Sequence, residues 1–131
     1  MLDTNVCIRA LRDRPNELRD RFNREADGLA ISTIVLTELL HGAETSARSE
    51  HNRREVERFA ARVEVLDFDV EAAGHSAQIK ATLERRGQMI GPYDLLIAGH
   101  ARSRGLVVVT SNRGEFDRVE GLRVEDWLSA S

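Results

Sequence analysis

Three carboxylates stand in apolar surroundings: Asp3 in "MLDTNV", Glu38 in "IVLTELL" and Asp94 in "GPYDLLIAGHA". Asp3 begins a run of carboxylate, hydroxyl and amide, Asp3-Thr4-Asn5, between Leu2 and Val6. On a helix, Glu38 shares its stripe with Ile34, Val35, His41 and Gly42, and Asp94 shares its own with Ile97, Ala98 and Ala101. Each has an ordinary reading, as an N-cap (Asp3), a helix-dipole partner behind Pro92 (Asp94) or an exposed acid (Glu38). Together they suggest something else, because carboxylates that converge on one point repel unless a cation neutralises them. Oxygen donors without thiolates or a histidine cluster suit a hard ion such as Mg²⁺ or Mn²⁺. Such ions polarise a phosphoryl oxygen and activate water, and in pairs about 3.5–4 Å apart they clamp the attacking and leaving oxygens. Phosphodiester hydrolysis is the natural reaction for that chemistry.

The elements that must position these groups alternate along the chain. "ML" reads as the end of a strand, and "LAIS" as a short strand whose Ser32 caps the helix "TIVLTELLHGAE". "DRPNELRDRFNREADG" is a helix with Pro15 near its start and Gly28 at its end, and "HNRREVERFAARV" is a charged surface helix. "VEVLDFD" is a strand, and "VEAAGHSAQIKATLERRGQ" a long helix closed near Gly87. A helix starts at Pro92 and ends by Gly105, "LVVVT" is a buried strand and "LRVEDW" a last one. Apolar strands alternating with helices imply a parallel sheet covered on both faces, an α/β sandwich. Ligands bind such sheets outside the carboxyl ends of the strands. Asp3, Thr4 and Asn5, then Ser32 and Thr33, then Thr110, Ser111 and Asn112 follow three of those ends.

At 131 residues, 41% of them hydrophobic, the chain fits one domain spanning 1–131. No apolar run spans a bilayer and no secretory signal is visible, so cytoplasmic residence is the expectation. Cys7, the single cysteine, is expected to be a small buried hydrophobe. Net charge is −3, which argues against a strongly basic nucleic-acid surface, yet 18 of the 19 basic residues are arginine. Codon bias and selection for phosphate binding both explain that skew.

"MLDTNVCI", "ISTIVLTELLHGAE", "GPYDLLIAGHARSRGLVVVTSNRGEF" and "RVEGLRVEDW" resemble, in order and spacing, the successive motifs of PIN-domain ribonucleases, specifically the VapC toxins of bacterial toxin–antitoxin pairs. The resemblance runs from the first residues to Trp127. It implies a three-layer α/β/α sandwich with a central parallel sheet. It also implies a metal-dependent endoribonuclease that uses one or two Mg²⁺ or Mn²⁺ ions and cuts RNA, often tRNA, to stop translation. Asp3, Glu38 and Asp94 match the most regular acidic metal ligands. For the fourth acid, Glu115 is expected as a distal or water-mediated ligand, with Asn112 as a polar contact in the cleft. Asn5 and Thr110 are expected to orient Asp3 or the metal-bound water, and Ser32 to cap its helix and hydrogen-bond in the site. The implied partners are a VapB-type antitoxin whose tail occupies the active-site groove, an RNA substrate and a second copy of the chain, with no membrane.

Arg9, Arg12, Arg14, Arg86, Arg102 and Arg113 are candidates to track phosphates, although each alone reads as solvated helix surface. His51 and His75 read as helix-face residues, and His100 has the best claim among the histidines to lie near substrate. Asp117 reads as a surface acid. Two rivals remain. Glu38-x-x-His41 matches half of a di-iron motif, which needs a second copy and two further glutamates on helices. A non-catalytic α/β module that binds RNA or protein would use the same carboxylates only as caps.

Overall fold

The computed structural model describes residues 1–12, 17–111 and 113–127. Arg14, Pro15 and Asn112 therefore lie outside the described residues. In chain order the elements are α1 (Thr4–Arg12), α2 (Glu17–Glu25), a 3-10 turn (Ala26–Gly28), β1 (Ala30–Ser32), α3 (Thr33–Glu44), α4 (Ser49–Ala61), β2 (Glu64–Leu66), α5 (Val70–Arg86), α6 (Pro92–Ser103), β3 (Val108–Thr110), α7 (Arg113–Phe116) and β4 (Val124–Asp126).

Helices thus mix with parallel strands. Strand β1 pairs with β2, and β3 with β4, both in parallel. Leu2 lies between the two pairs. Its N–H donates to the Ala30 carbonyl at 2.9 Å, and on its other side it forms a parallel bridge to Val109. The strands are shorter than their apolar runs suggest. Leu106 and Val107 precede β3, and Asp69 leaves the "VEVLDFD" run to cap α5, its carboxylate accepting the Ala72 N–H at 3.0 Å.

Helix α1 begins directly after Leu2, with no glycine or proline between strand-like and helical backbone. Its buried face, Val6, Cys7 and Ala10, joins Ile31, Val35 and Leu39 in the core. Cys7 is free and fully buried. On the opposite side of the chain, α5 and α6 cross very closely at Gly99. A Cβ there would stand 1.9 Å from Ser76 Oγ and 2.7 Å from the Ser76 backbone, so only glycine fits. That close approach helps to fix α6, and with it Asp94 on its first turn. Gly87 closes α5 in the left-handed conformation at φ 66°, as glycine does at a helix C-terminus.

Candidate active site

Asp3 is held from both sides. Its N–H donates to the Val109 carbonyl at 3.0 Å, while the Val109 N–H donates to the Met1 carbonyl at 2.7 Å. The side chain is 4% exposed. Oδ1 accepts the Val6 N–H at 2.9 Å, which caps α1, and Oδ2 accepts the Thr110 hydroxyl at 2.5 Å. Burial raises its pKa, the Thr110 and Val6 bonds oppose that, and the charges of Glu38 and Asp126 raise it further.

Glu38 is half-buried on α3, and its Oε1 accepts the Thr4 hydroxyl at 2.5 Å. The hydroxyl beside Asp3 therefore serves Glu38, while the one that serves Asp3 comes from the end of β3. Asp94 occupies the first turn of α6. Its pKa is pushed up to about 7 by burial, then by its hydrogen bond with Glu115 and that group's charge, and then by Asp3 and Glu38. Glu115, on α7, is shifted down because it accepts from Asp94 and from the Gly91 N–H, the latter at 3.1 Å. A Cβ on Gly91 would lie 3.9 Å from both Asp94 Oδ2 and Glu115 Oε2, which places the two carboxylates together over that turn.

Ser32 is fully buried at the end of β1. It caps α3 by accepting the Ile34 N–H at 3.0 Å and meets His100 Nδ1 at 2.8 Å. His100 is fully buried, edge-on to Phe68, and so does not face a cleft. Asn5 is exposed on α1, and the two Asp3 oxygens accept from Val6 and Thr110. Asn112 is outside the described residues.

Three arginines among the candidates are engaged elsewhere. Arg86 pairs with Glu120, and Arg102 ties His75 and Gln78 on α5 to the Glu120 carbonyl. Arg113 pairs with the exposed Asp117 at 3.0 Å. Arg9, His41 and His51 are exposed.

One residue escaped the sequence reading, Asp126, and one bond, from Thr4 to Glu38. Thr4 was visible only as part of the triplet. Asp126 ends β4, directly opposite Thr110 in the β3–β4 register, and its charge acts on Asp3. The rule that singled out residues after strand ends would have found it.

The donors are carboxylate oxygens, and burial together with the neighbouring carboxylates raises the pKa of Asp94. In chemistry this set fits a hard divalent cation. Among the described residues, however, no three histidine, cysteine, aspartate or glutamate side chains already group tightly enough to hold one. A groove of about 470 Å³ runs beside the site between α1, α3 and α4. Ile8, Leu11, Leu39 and Val56 line it, with Glu38 at its edge. Among the described residues no helix is long and apolar enough to cross a membrane.

The PIN domain family model matches residues 1–122. The chain is 54% identical over 127 residues to the tRNA(fMet)-specific endonuclease VapC of Salmonella typhimurium, covering 97% of this chain and 96% of that protein. It is 51% identical, with the same coverage, to the enzyme of that name from Shigella flexneri. Its fold matches the solved structure of DNA-bound VapBC from Salmonella typhimurium with a TM-score of 0.93 at 54% identity, over 97% of this chain and 96% of that one. A motif order read from the carboxylates, the architecture that gathers them and the full-length similarity agree: the chain belongs to the PIN domain family, in its VapC branch.

Proposed function

We propose that the protein is a metal-dependent endoribonuclease, the toxin of a type II toxin–antitoxin pair, which hydrolyses tRNA phosphodiester bonds in the cytoplasm and thereby inhibits translation. The observation that carries this reading is the meeting of the Asp94 and Glu115 carboxylates over the Gly91 turn, where the charges of Asp3 and Glu38 also act on Asp94. Carboxylates that raise one another's pKa in a half-open site are poised for a cation or a proton, which is how such groups are used in catalysis. The names of the VapC relatives and the VapBC assemblies support the RNA substrate and the antitoxin partner.

Asp3, Asp94 and Glu115 would hold one or two Mg²⁺ or Mn²⁺ ions, with Glu38 completing the acidic wall. The ion would supply charge stabilisation at the phosphoryl oxygens and a more acidic water. The chain's own residues do the positioning. Val6 and Thr110 fix both oxygens of Asp3, Thr4 fixes Glu38, and the Gly91 amide fixes Glu115. Asp94, whose carboxyl holds its proton up to about pH 7 in the ion-free site, would give that proton up as the ion binds. The groove between α1, α3 and α4 fits the tail of a VapB-type antitoxin, whose arrival at Glu38 would close the site. Leu2 links the strand pairs, supporting a single parallel sheet in a three-layer α/β/α sandwich, and we extend the family's homodimer to this chain.

The test uses protein freed of antitoxin, total tRNA, Mg²⁺ or Mn²⁺, a chelator control and Asp94→Asn. Cleavage that needs the ion and falls at least about 100-fold in the variant is expected. Cleavage that survives chelation would overturn the metal mechanism, and absence of any cleavage would leave a non-catalytic binding module.

A further inference from the structure

The turn joining α5 to α6 combines two properties that seldom coincide. Its backbone is pinned at three points. Arg118 donates to the Met89 carbonyl at 2.9 Å, the Gly91 N–H donates to Glu115 at 3.1 Å, and the Ile90 side chain is buried in the core. Pro92 then fixes the first helical φ. Yet the two side chains flanking this pinned segment face solvent: Met89 is 41% exposed and Tyr93 49% exposed. Tyr93 is the only tyrosine in the chain and immediately precedes Asp94.

We propose that Tyr93 is a stacking platform for one unpaired base of the RNA substrate next to the phosphate at the carboxylate site. The proposal rests on the nuclease reading above. A single exposed ring is far too small for a stable protein–protein interface, which buries at least about 1,000 Å². It does match the face of one base. The occupant must also be uncharged or cationic where it meets Tyr93, because Asp94 follows it directly on the first turn of α6, and a nucleobase is neutral. Stacking needs an unstacked base, so the platform selects single-stranded or loop nucleotides over duplex. A pinned backbone lets the aromatic ring bind with little ordering cost.

The Tyr93 hydroxyl has no role in this arrangement, which gives the test its control. Binding is measured in an Asp94→Asn background with Mn²⁺, using a single-stranded RNA oligonucleotide that carries 2-aminopurine, and wild-type cleavage is assayed in parallel. Tyr93→Phe should bind and quench the probe as its parent does. Tyr93→Ala should weaken binding about tenfold, lose the quenching, and in otherwise wild-type protein raise KM more than it lowers kcat. Unchanged binding by Tyr93→Ala, or equal losses in the Phe and Ala variants, would overturn the platform, and unchanged binding would leave the patch to a protein partner. If the wild type binds but does not cleave, the nuclease reading fails, and the Phe–Ala contrast still decides the platform. If no RNA binds, both fall.

Discussion

Asp94 and Glu115 meet over the Gly91 turn as an unequal pair. Glu115 takes the Gly91 amide and is shifted down, and Asp94 keeps the proton with its pKa pushed up to about 7. The asymmetry follows from position. Glu115 gains a backbone donor and the charge of Arg118, whereas Asp94 faces Asp3 and Glu38 as well as Glu115.

This pair makes stability depend on pH. The folded-state pKa of Asp94 lies above its ordinary 3.8, so between pH 4 and 7 the folded protein holds more protons than the unfolded chain. Stability should therefore fall as pH rises through that window. Glu115 shifts the other way and offsets part of the effect. After discounting for solvent screening, a net slope worth about 1 kcal/mol is expected. Buried His100, whose pKa is lowered chiefly by desolvation, has the opposite sign but is common to both proteins compared. Thermal melts in chelator should show Asp94→Asn gaining on the wild type between pH 5 and 7.5. A parallel pair of pH profiles would sink the argument.

Asp3 has a structural role that Asp94 lacks. Asp3→Ala removes the acceptor of the Val6 N–H and of the Thr110 hydroxyl together. Losing a cap costs about 1 kcal/mol, and losing the acceptor of a buried hydroxyl about 1–3 kcal/mol more, against relief of a buried charge. Urea denaturation should show a net loss of about 1–3 kcal/mol. The Asp3→Ala, Thr110→Val double variant should lose less than the sum of the singles, because both changes break the same bond. Strict additivity would mean that the bond contributes nothing.

Much of the site is legible because one rule, polar side chains after parallel strand ends, selects Asp3, Ser32 and Thr110. The same rule covers Asp126, which was missed because "LRVEDW" reads as strand through Trp127, so that Asp126 does not stand at a strand end. The Thr4–Glu38 bond could not be read, since it joins residues 34 apart through the packing of α1 on α3. Strand lengths were overestimated because Leu106 and Val107 are apolar and partly buried without belonging to β3. The start of α1 was legible only in the N-cap reading of Asp3, which the Val6 bond bears out, because no glycine or proline marks the passage from bridge to helix there.

Gly99 should tolerate no side chain. In Gly99→Ala the new methyl meets Ser76 Oγ at 1.9 Å, and Ser76→Gly would remove that contact but not the 2.7 Å clash with the Ser76 backbone. Overpacking of this kind costs about 1–3 kcal/mol or more. The double variant should thus remain destabilised in urea melts. Full rescue by Ser76→Gly would show that the helices yield and that the close crossing is not what fixes α6.

Thr4 offers the finest test of the acidic wall. Its hydroxyl holds Glu38 Oε1 at 2.5 Å, and both groups are half-buried, so the bond fixes one carboxylate rotamer at the edge of the groove. Thr4→Val keeps the shape and removes the donor, while Thr4→Ser keeps the donor and loses a methyl. If Glu38 must be held in place to act, Thr4→Val should lower RNA cleavage about tenfold, in the range of outer residues that orient metal ligands, and Thr4→Ser should stay near wild type. Melting temperature separates this from unfolding, since a single partly exposed hydrogen bond contributes only about 1 kcal/mol. Equal activity in the valine and serine variants would show that Glu38 needs no support from α1.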